Sequence, residues 1–442
     1  MIRKQLLALF FATLAAGLAP CSGFAFDVAA TQAAAEAQAD KDASHLFAVY
    51  KDLHEHPELG YQEKRTAALL AREMRALGFS VAEGVGKTGI VALYKNGAGP
   101  VVLVRTDIDA LPIQEETGLP YASHVKQITR TGRESFVFHG CGHDTHMATW
   151  LGTAKALLAM KDRWHGTLMF IGQPAEEGGN GAKAMIDDGL FTRFPRPDFA
   201  FGLHNSADPF GVYYKPGVAS SSVDDFQIVF HGRSSHGSRP NMGIDPVLMA
   251  ARFAIDVQAV ISREKDPAAF GVIAVGSIDS GPLGNGTPDK ATVRGATRAQ
   301  DTEVREKLLA GILRTAKAEA DMAAAPAPPD VELRRGYTMI VNDAALTEKT
   351  AAVFRTAFGA DTHELLVPET GSEDFSEYGV AGVPSFYFRI GAYDPQRVAE
   401  AKQKGEVLPV HHSSKYLPAA QEVIRTGTQA MTLAVVNAMQ TK

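Results

Sequence analysis

The stretch Thr167-Leu-Met-Phe-Ile-Gly-Gln-Pro-Ala-Glu-Glu177 decides the fold that the sequence predicts. Its first six residues are β-branched, apolar or small and lead into turn-forming and acidic residues, which is typical of a buried β-strand and the loop after it. Similar apolar runs occur at residues 90–94, 101–105 and 199–203, and helical patterns alternate with them. Strands and helices in alternation indicate an α/β layer with a mostly parallel sheet. Ligands of such sheets bind at the carboxyl ends of the strands.

The helical patterns cover residues 46–78 and 144–160, and the Ala-rich stretch 29–44 is either a frayed leader or a first helix. Between residues 225 and 322, two strand-and-helix pairs follow each other and end in an Ala/Pro run that is typical of a linker. We interpret this block as an α+β domain inserted into the α/β domain. The strand Val331–Leu333 is then expected to return the chain to the first domain.

The composition is that of a globular protein, with 45% hydrophobic and 21% charged residues, and it excludes fibrous, collagen-like and wholly disordered chains. The net charge of −6 is not gathered into basic blocks, so binding of nucleic acid is not expected. At about 150 residues per domain, the length of 442 residues suggests two domains or three. The predicted segments are a signal peptide at 1–25, a catalytic domain at 40–220 and 330–442, and an inserted domain at 221–329.

The N-terminus has the layout of a secretory signal: a basic start, an apolar stretch Leu6–Ala19 and small residues at 23–25. The apolar stretch is too short to span a bilayer of roughly 30 Å as a helix, although an uncleaved anchor is the alternative. Cys21 follows Pro20, which is a poor fit to a lipoprotein signal. We therefore expect an exported protein, periplasmic or secreted, with no membrane span in its mature part. Its single remaining cysteine would be Cys141, which a metal ion would protect from oxidation.

The richest chemical motif is His139-Gly-Cys-Gly-His-Asp-Thr-His146. In an extended segment, residues two apart point the same way, so Cys141 and His143 can face one metal ion while the glycines let the backbone bend around it. Thiolate and imidazole are good ligands for zinc and similar divalent ions. The alternative is a buried free cysteine beside histidines that cap a helix.

Other candidate ligands also follow predicted strands. Glu176 and Glu177 come directly after the first quoted strand, where one could bind metal and the other could take a proton from a metal-bound water. His204 and the pair His411-His412 follow later apolar segments. A solvated acidic turn and lone structural histidines are the alternatives, but the carboxyl ends of strands converge in an open sheet. Together these residue types suffice for two ions that share a ligand or a water.

These motifs, in this order, resemble the M20 metallopeptidase clan and specifically its amidohydrolase branch, which includes hippurate hydrolases, N-acyl-amino-acid amidohydrolases and plant hydrolases of auxin conjugates. The resemblance covers nearly the whole mature chain. The motifs that carry it are His54-Glu-His-Pro-Glu-Leu59, Val104-Arg-Thr-Asp-Ile-Asp-Ala-Leu-Pro112, the motif at 139–147, Pro174-Ala-Glu-Glu-Gly178, Gly202-Leu-His-Asn205, Asn285-Gly-Thr-Pro-Asp289, Gly371-Ser-Glu-Asp-Phe375 and His411-His-Ser-Ser414.

The resemblance implies a role for individual residues. Glu176 matches the general base that deprotonates a bridging water and returns the proton to the leaving amine, and Asp107 and Asp109 match residues that orient the metal ligands through hydrogen bonds. His411 is an alternative to His412, because the family more often has a single histidine before Asn-Pro or His-Pro. The ligands of two divalent ions, zinc or manganese, would be Cys141 as the bridging one, His143, Glu177, His204 and His412.

The inserted block resembles the family's lid and dimerisation domain, which implies a homodimer or a higher homo-oligomer. His236, in Ser234-Ser-His-Gly237, matches a histidine that polarises the scissile carbonyl, often across the dimer. Asn285 and Arg298 match positions that could hold the carboxylate of the substrate, Arg298 as a bidentate clamp.

The sequence therefore predicts a binuclear metal-dependent amidohydrolase that cleaves N-acyl or N-aroyl amino acids to a carboxylic acid and a free amino acid. One alternative is a periplasmic dipeptidase or carboxypeptidase, which uses the same chemistry with a different acyl pocket. A second is a non-catalytic protein that binds metal or ligand. The adjacent Glu176 and Glu177 speak against the latter, because a binding protein needs no base beside its ligand.

Overall fold

The computed structural model describes residues 26–282 and 284–440, so the predicted signal peptide at 1–25, with Cys21, lies outside the described residues. The strands are β1 Ser80–Val85, β2 Gly89–Asn96, β3 Val101–Asp107, β4 Lys126–Ile128, β5 Glu134–Phe136, β6 Gly166–Gln173, β7 Phe199–Pro209, β8 Val212–Tyr214, β9 Gly217–Val218, β10 Ser222–His231, β11 Ser235–His236, β12 Gly271–Asp279, β13 Gly286–Thr287, β14 Lys290–Ala299, β15 Asp330–Arg335, β16 Val341–Asn342, β17 Thr362–Glu364 and β18 Ser385–Tyr393. The helices are α1 Val28–Glu55, α2 Lys64–Ala76, α3 His143–Ala159, α4 Glu176–Gly179, α5 Gly181–Asp187, α6 Leu190–Arg193, α7 Pro246–Asp256, α8 Thr302–Met322, α9 Ala344–Phe358, α10 Ser376–Val380, α11 Pro395–Lys404 and α12 Ala420–Met439.

A large sheet of eight strands, in the order β1-β2-β6-β3-β7-β18-β8-β17, forms the centre of the molecule. Its four central strands, β6, β3, β7 and β18, run parallel to one another, and antiparallel pairs flank them. The parallel strands carry apolar residues on both faces, because helices cover both sides of the sheet. The predicted α/β class with a mixed, mostly parallel sheet is confirmed.

Apolar side chains on the two faces of the large sheet form separate cores. On one face, α2, α3, α9 and α12 pack against the sheet and α1 packs on α3 and α12, through residues such as Leu53, Leu151 and Val435. On the other face, residues such as Met185 and Tyr378 of the shorter helices cover it. Within the described part of the chain, no helix has both the length and the apolar character that crossing a bilayer requires.

A second, antiparallel sheet, in the order β12-β14-β10-β15, packs against α7 and α8 around its own apolar core. The expectation that Val331–Leu333 returns to the first domain is wrong, because β15 pairs with β10 in this smaller sheet. Val331 and Leu333 pack against the core of the smaller sheet, so both strand alternation and burial place them there. The predicted inserted block at 221–329 therefore lacks its last strand, and the chain leaves the smaller sheet only after Arg335.

The N-terminal helices differ from the expected single helix over residues 46–78. The Ala-rich stretch belongs to α1, which starts at Val28 with Asp27 as its N-cap, whereas α2 starts only at Lys64. The break falls at His56-Pro57. Proline has no N–H to donate and disfavours the helical conformation of the residue before it, so α1 ends there.

A buried histidine ties α1 to the start of α3. The two ring nitrogens of His54 lie 2.7 Å from a carboxylate oxygen of Asp144 and 3.0 Å from one of Glu115. All three side chains are buried. Although burial favours the neutral ring, the hydrogen bonds to Asp144 and Glu115 raise the pKa of His54 to about 9. An imidazolium between two carboxylates therefore holds the helix that begins with His143.

This contact makes a prediction about the pH dependence of stability. Because the pKa of His54 is higher in the folded chain than its ordinary value of 6.5, its stabilising contribution is complete below pH 6.5 and is lost as the pH rises through about 9. We expect the difference in unfolding midpoint between wild type and His54→Gln to shrink over that range, as measured by urea denaturation. His45→Gln, which alters an exposed histidine paired with Glu73, is the control. A difference for His54→Gln that stays constant with pH would contradict the assignment.

Candidate metal centre

The loop before α3 presents a thiol and an imidazole from two residues that a single glycine separates. Gly142 has φ +83°, in the left-handed region, and this turns the chain from Cys141 into α3 at His143. Both side chains are buried. Nδ1 of His143 donates to the backbone carbonyl of Asp109 at 2.8 Å, which leaves Nε2 buried and without a hydrogen bond. A ring held in this way offers the lone pair of Nε2 to a metal ion.

The two glutamates after β6 enter the same region through a strained turn. Ala175 adopts a left-handed conformation, with φ +49°, and the backbone N–H groups of Glu176 and Glu177 donate to the carboxylate of Asp109 at 3.1 and 3.0 Å. Glu176 is buried, and one of its carboxylate oxygens lies 3.9 Å from Nε2 of His143. Oε1 of Glu177 is buried and accepts no hydrogen bond. Asp109 therefore positions both glutamates and His143.

His204, on β7, faces the thiol of Cys141. Its Nδ1 donates to the backbone carbonyl of Asn205 at 2.6 Å, and its Nε2 lies 3.4 Å from Sγ of Cys141. This arrangement repeats that of His143, because one nitrogen is fixed by a carbonyl and the other is left to act as a ligand.

The structure separates the roles of the two adjacent histidines near the C-terminus. Nε2 of His412 lies 3.2 Å from Oε1 of Glu177, and its backbone, with φ +67°, is held by a hydrogen bond from its N–H to the carbonyl of Gly140. Nε2 of His411 instead lies 3.0 Å from Oδ1 of Asn205. The geometry therefore favours His412 as the ligand.

These side chains form overlapping clusters in which the ligand atoms lie within 4.8 Å of one another. The clusters are Cys141, Glu177 and His412; His143, Glu176 and Glu177; and Asp107, His143, His146 and His204. Thiolate, imidazole and carboxylate donors are a set that suits zinc and other divalent ions of the first transition row. The buried Nε2 of His143, which has no hydrogen bond, fits ion binding as well, since buried polar atoms are otherwise hydrogen-bonded.

The electrostatics of the clusters also favour a cation. Burial, reinforced by Glu373 and Glu177, raises the pKa of Glu176 well above its usual range. Burial and the two glutamates likewise raise the pKa of the Cys141 thiol. Although burial lowers it, Asp107 and Asp109 raise the pKa of His143 to about 10. Neighbouring carboxylates contribute to each of these shifts, and a bound cation would neutralise their negative charge.

Asp107 lies at the carboxyl end of β3, beneath the ligands. One oxygen is 2.7 Å from Nδ1 of His146, and the other accepts from Arg105 at 2.7 Å. Although burial opposes it, His143, His146 and Arg105 lower the pKa of Asp107 well below its usual range. Arg105 is itself buried and also pairs with Glu373. Asp107 is thus an ionised residue within reach of the ligands.

Sequence reasoning did not single out His146 and Asn205 as parts of the site. Nε2 of His146 accepts from the backbone N–H and the side-chain amide of Asn205, at 2.9 and 2.8 Å. The amide of Asn205 also donates to the carbonyl oxygens of Cys141 and Gly142. The spacing of His143 and His146, three residues apart on one helix, is the signal that places both rings on one face.

A cleft of about 690 Å³ opens over the ligands and extends between the two sheets. Cys141, Glu176, Glu177, His204 and His412 line one end. The remainder is lined by aromatic side chains such as Tyr213, Tyr337 and Phe388 and by charged side chains, among them Arg298, Arg389 and Glu369. Arg298 donates to the hydroxyl of Ser372, and no acidic side chain among residues 26–282 and 284–440 forms an ion pair with it.

The structure does not bring His236 and Asn285 into this cleft. His236 is exposed on β11, which pairs with β13, and Asn285 is exposed directly before β13. The backbone N–H of Gly237 donates to the carbonyl of Asn285 at 2.9 Å, so the two predicted residues lie together on a small ribbon of the smaller unit. In a single chain with this structure, neither residue can make its predicted contact with a substrate in the cleft.

Comparison with known proteins agrees with these features. The family model described as peptidase family M20/M25/M40 matches residues 103–411, which is more than half of the chain. The chain belongs to this family. The resemblance predicted from the motifs is thereby confirmed, as is the expectation of a metal-dependent hydrolase of this type.

Relatives of the M20 chain cover most of its length. A hippurate hydrolase of Campylobacter jejuni is 36% identical over 73% of the chain and 82% of its own length. Thermostable carboxypeptidase 2 of Saccharolobus solfataricus is 33% identical over 88% and 94%. The crystal structure of the YXEP protein of Bacillus subtilis, a dinuclear metal binding peptidase of the M20 family, has a TM-score of 0.72 and 28% identity, and it covers 91% of the chain and 100% of its own.

The bend at Gly142 gives a testable prediction for this M20 site. A Cβ at position 142 would lie 2.2 Å from Nδ2 of Asn205, and its φ of +83° strains any other residue. We expect Gly142→Ala to lower the free energy of unfolding by more than about 1 kcal/mol and to weaken metal binding at least tenfold, as measured by thermal unfolding and calorimetry.

Gly118→Ala is the matched control, because Gly118 has φ +77° but open space around its Cβ position. This control should show the cost of backbone strain without the loss of metal binding. Equal metal binding by both variants would mean that the close approach to Asn205 does not shape the site.

Proposed function

We propose that the protein hydrolyses the amide bond of N-acyl or N-aroyl amino acids with the help of two divalent cations. The observation that carries the proposal is the position of Glu176. Its buried carboxylate belongs to the ligand cluster that contains His143 and Glu177, and it opens onto a cleft large enough for a small conjugate. The hippurate hydrolase named above supports the substrate class.

The residues that would hold the cations are the five predicted ligands, Cys141, His143, Glu177, His204 and His412. Bound divalent ions, zinc or manganese, would polarise the amide carbonyl and make water more acidic. Asp107, with its low pKa, would balance their charge, and Asp109 keeps the donors in place through its three hydrogen bonds.

Glu176 performs the proton transfers. Its carboxylate accepts a proton from the attacking water and then gives it to the nitrogen of the leaving amino acid. Burial keeps bulk water from competing for this proton, and the hydrogen bond from the backbone N–H of Glu176 to Asp109 fixes the position of the side chain. Arg298, which has no acidic partner in the described chain, binds the carboxylate of the substrate.

A second copy of the chain would supply His236 and Asn285. Both residues are exposed on a ribbon of the smaller unit, outside the cleft of their own chain. In a homodimer that exchanges these ribbons, His236 would donate a hydrogen bond to the developing oxyanion. The exported location, periplasmic or secreted, belongs to the same proposal and rests on the basic and apolar pattern of the N-terminus.

The general base is tested by Glu176→Gln. We expect this variant to bind metal as the wild type does and to lose at least about 10²-fold in kcat, because the amide cannot take a proton. Hydrolysis of N-acetyl and N-benzoyl amino acids, together with elemental analysis of the protein, measures both quantities. Glu369→Gln, at a cleft carboxylate that belongs to none of the ligand clusters, is the control and should stay near wild type. Near wild-type turnover by Glu176→Gln would refute the assignment.

Sharing of sites between subunits is tested by mixing two inactive variants. We expect Glu176→Gln and His236→Ala chains, each inactive alone, to regain about a quarter of wild-type activity when they are co-refolded, because half of the dimers are mixed and carry one intact site. Wild-type chains refolded in parallel give the reference. A monomer in sedimentation, or no recovery in verified mixed dimers, would exclude the exchange.

The carboxypeptidase relative favours a second candidate, cleavage of a C-terminal residue from a peptide. The chemistry is the same, and the cleft beyond the ligands decides which substrate is accepted. Comparing kcat/KM for N-benzoyl amino acids with that for dipeptides separates the two. The proposed function requires that the N-acyl amino acids be the better substrates.

A further inference from the structure

The turn that carries Glu176 is held by three consecutive backbone N–H groups. Those of Glu176 and Glu177 donate to Asp109, as described above. The N–H of Ala175 donates to a different residue, Oε1 of Glu63, at 2.8 Å. Two buried carboxylates thus take all three donors of the segment that introduces the general base.

The side chain of Glu63 makes two hydrogen bonds, and the contact with Ala175 is one of them. Glu63 lies directly before α2, its exposed fraction is 0%, and its second oxygen accepts the hydroxyl of Thr88 at 2.6 Å. No arginine, lysine or histidine of residues 26–282 and 284–440 forms an ion pair with it. A buried carboxylate without a cation is costly, and an amide could fill the same space at lower cost.

The conformation of Ala175 shows what the contact holds. A left-handed backbone at a residue with a Cβ costs roughly 1 kcal/mol or more and persists only where its surroundings impose it. At Ala175 this conformation turns the chain out of β6 so that Glu176 points into the site. The N–H that Glu63 accepts is therefore the one at the point of strain.

We propose that Glu63 is a positioning residue for the general base, acting through the backbone of Ala175. Its side chain does not line the cleft and bonds Ala175 and Thr88 rather than a predicted cation ligand, so its effect on the reaction is to fix the direction in which Glu176 leaves the strand. The inference rests on the proposed role of Glu176. It assigns to the Tyr61-Gln-Glu63 segment a function that its sequence alone does not reveal.

Three variants test the inference. Glu63→Ala removes the acceptor, and we expect kcat to fall about 10- to 100-fold while KM stays within about twofold, since a displacement of about 1 Å at a catalytic group costs this much. Glu63→Gln retains an oxygen for the N–H of Ala175 and an amide for Thr88, and it should stay within about threefold of wild type. Thr88→Val, which leaves the contact with Ala175 intact, is the matched control and should do the same.

The metal content of every variant is measured at saturating metal, so that a loss of bound metal is not mistaken for a displacement of Glu176. A purely structural role would lower the unfolding midpoint of Glu63→Ala but leave kcat per folded molecule unchanged, and that result overturns the inference. Equal losses in Glu63→Gln and Glu63→Ala would also overturn it, because the hydrogen bond would then not be the cause.

Amide hydrogen exchange separates this inference from the proposed function. We expect faster exchange over residues 174–180 in Glu63→Ala but not in Glu63→Gln. If the wild type hydrolyses no N-acyl amino acid, the proposed function fails, while the exchange experiment still measures whether Glu63 holds the turn. Unchanged exchange in Glu63→Ala refutes the inference whatever the activity.

Discussion

Asp109 is the residue on which the geometry of the metal centre depends. Its backbone carbonyl orients the ring of His143, and its carboxylate accepts from the backbone of Glu176 and Glu177. One residue therefore fixes two predicted ligands and the proposed base relative to each other, with bonds of 2.8 to 3.1 Å. Burial of a carboxylate is costly unless donors surround it, so these hydrogen bonds stabilise the buried Asp109 as well as the groups that it positions.

The strands of both sheets and a C-terminal loop place the other groups of the site near Asp109. The parallel strands β6, β3 and β7 are neighbours. Glu176 and Asp109 follow the carboxyl ends of β6 and β3, and His204 lies on β7 at the same end of the sheet. His412 joins them from the far end of the sequence through one backbone hydrogen bond to Gly140. The smaller sheet contributes Arg298 to the opposite wall of the cleft. His143, His204 and Arg298 thus sit on a helix and on strands, whereas Cys141 and His412 lie in turns, the latter with a left-handed backbone.

Much of this arrangement could be predicted because polar residues directly after apolar strands are visible in a sequence. Glu177 and His204 were predicted as ligands in this way, and the structure places both beside Cys141. The order of strands is not visible, and neither is pairing between distant segments. Val331–Leu333 was misplaced for that reason, since an edge strand looks the same whichever sheet it joins.

Residues that act through the backbone are harder still to predict. Glu63 is 112 positions from Ala175, and in the sequence it looks like one more acidic residue before a helix. Asn205 was visible only as the neighbour of a candidate histidine, although its amide joins the loop at Cys141 to the ring of His146. His411 and His412 could not be told apart by pattern, because only the left-handed turn decides which ring reaches Glu177.

The pairing of β7 with β18 has a consequence for folding. Ala200 pairs with Ser385, so the whole smaller sheet is synthesised before the centre of the large sheet can close. Such long-range contacts require costly loop closure and slow the folding of a chain, whereas the smaller sheet uses only residues 222–335 and can form earlier. Of the groups that would bind cations, only His412 follows β18 in the chain, and it reaches the others through its backbone hydrogen bond to Gly140. Cation binding by the complete set of predicted ligands would therefore add its free energy to the folded state and favour it over partly folded ones.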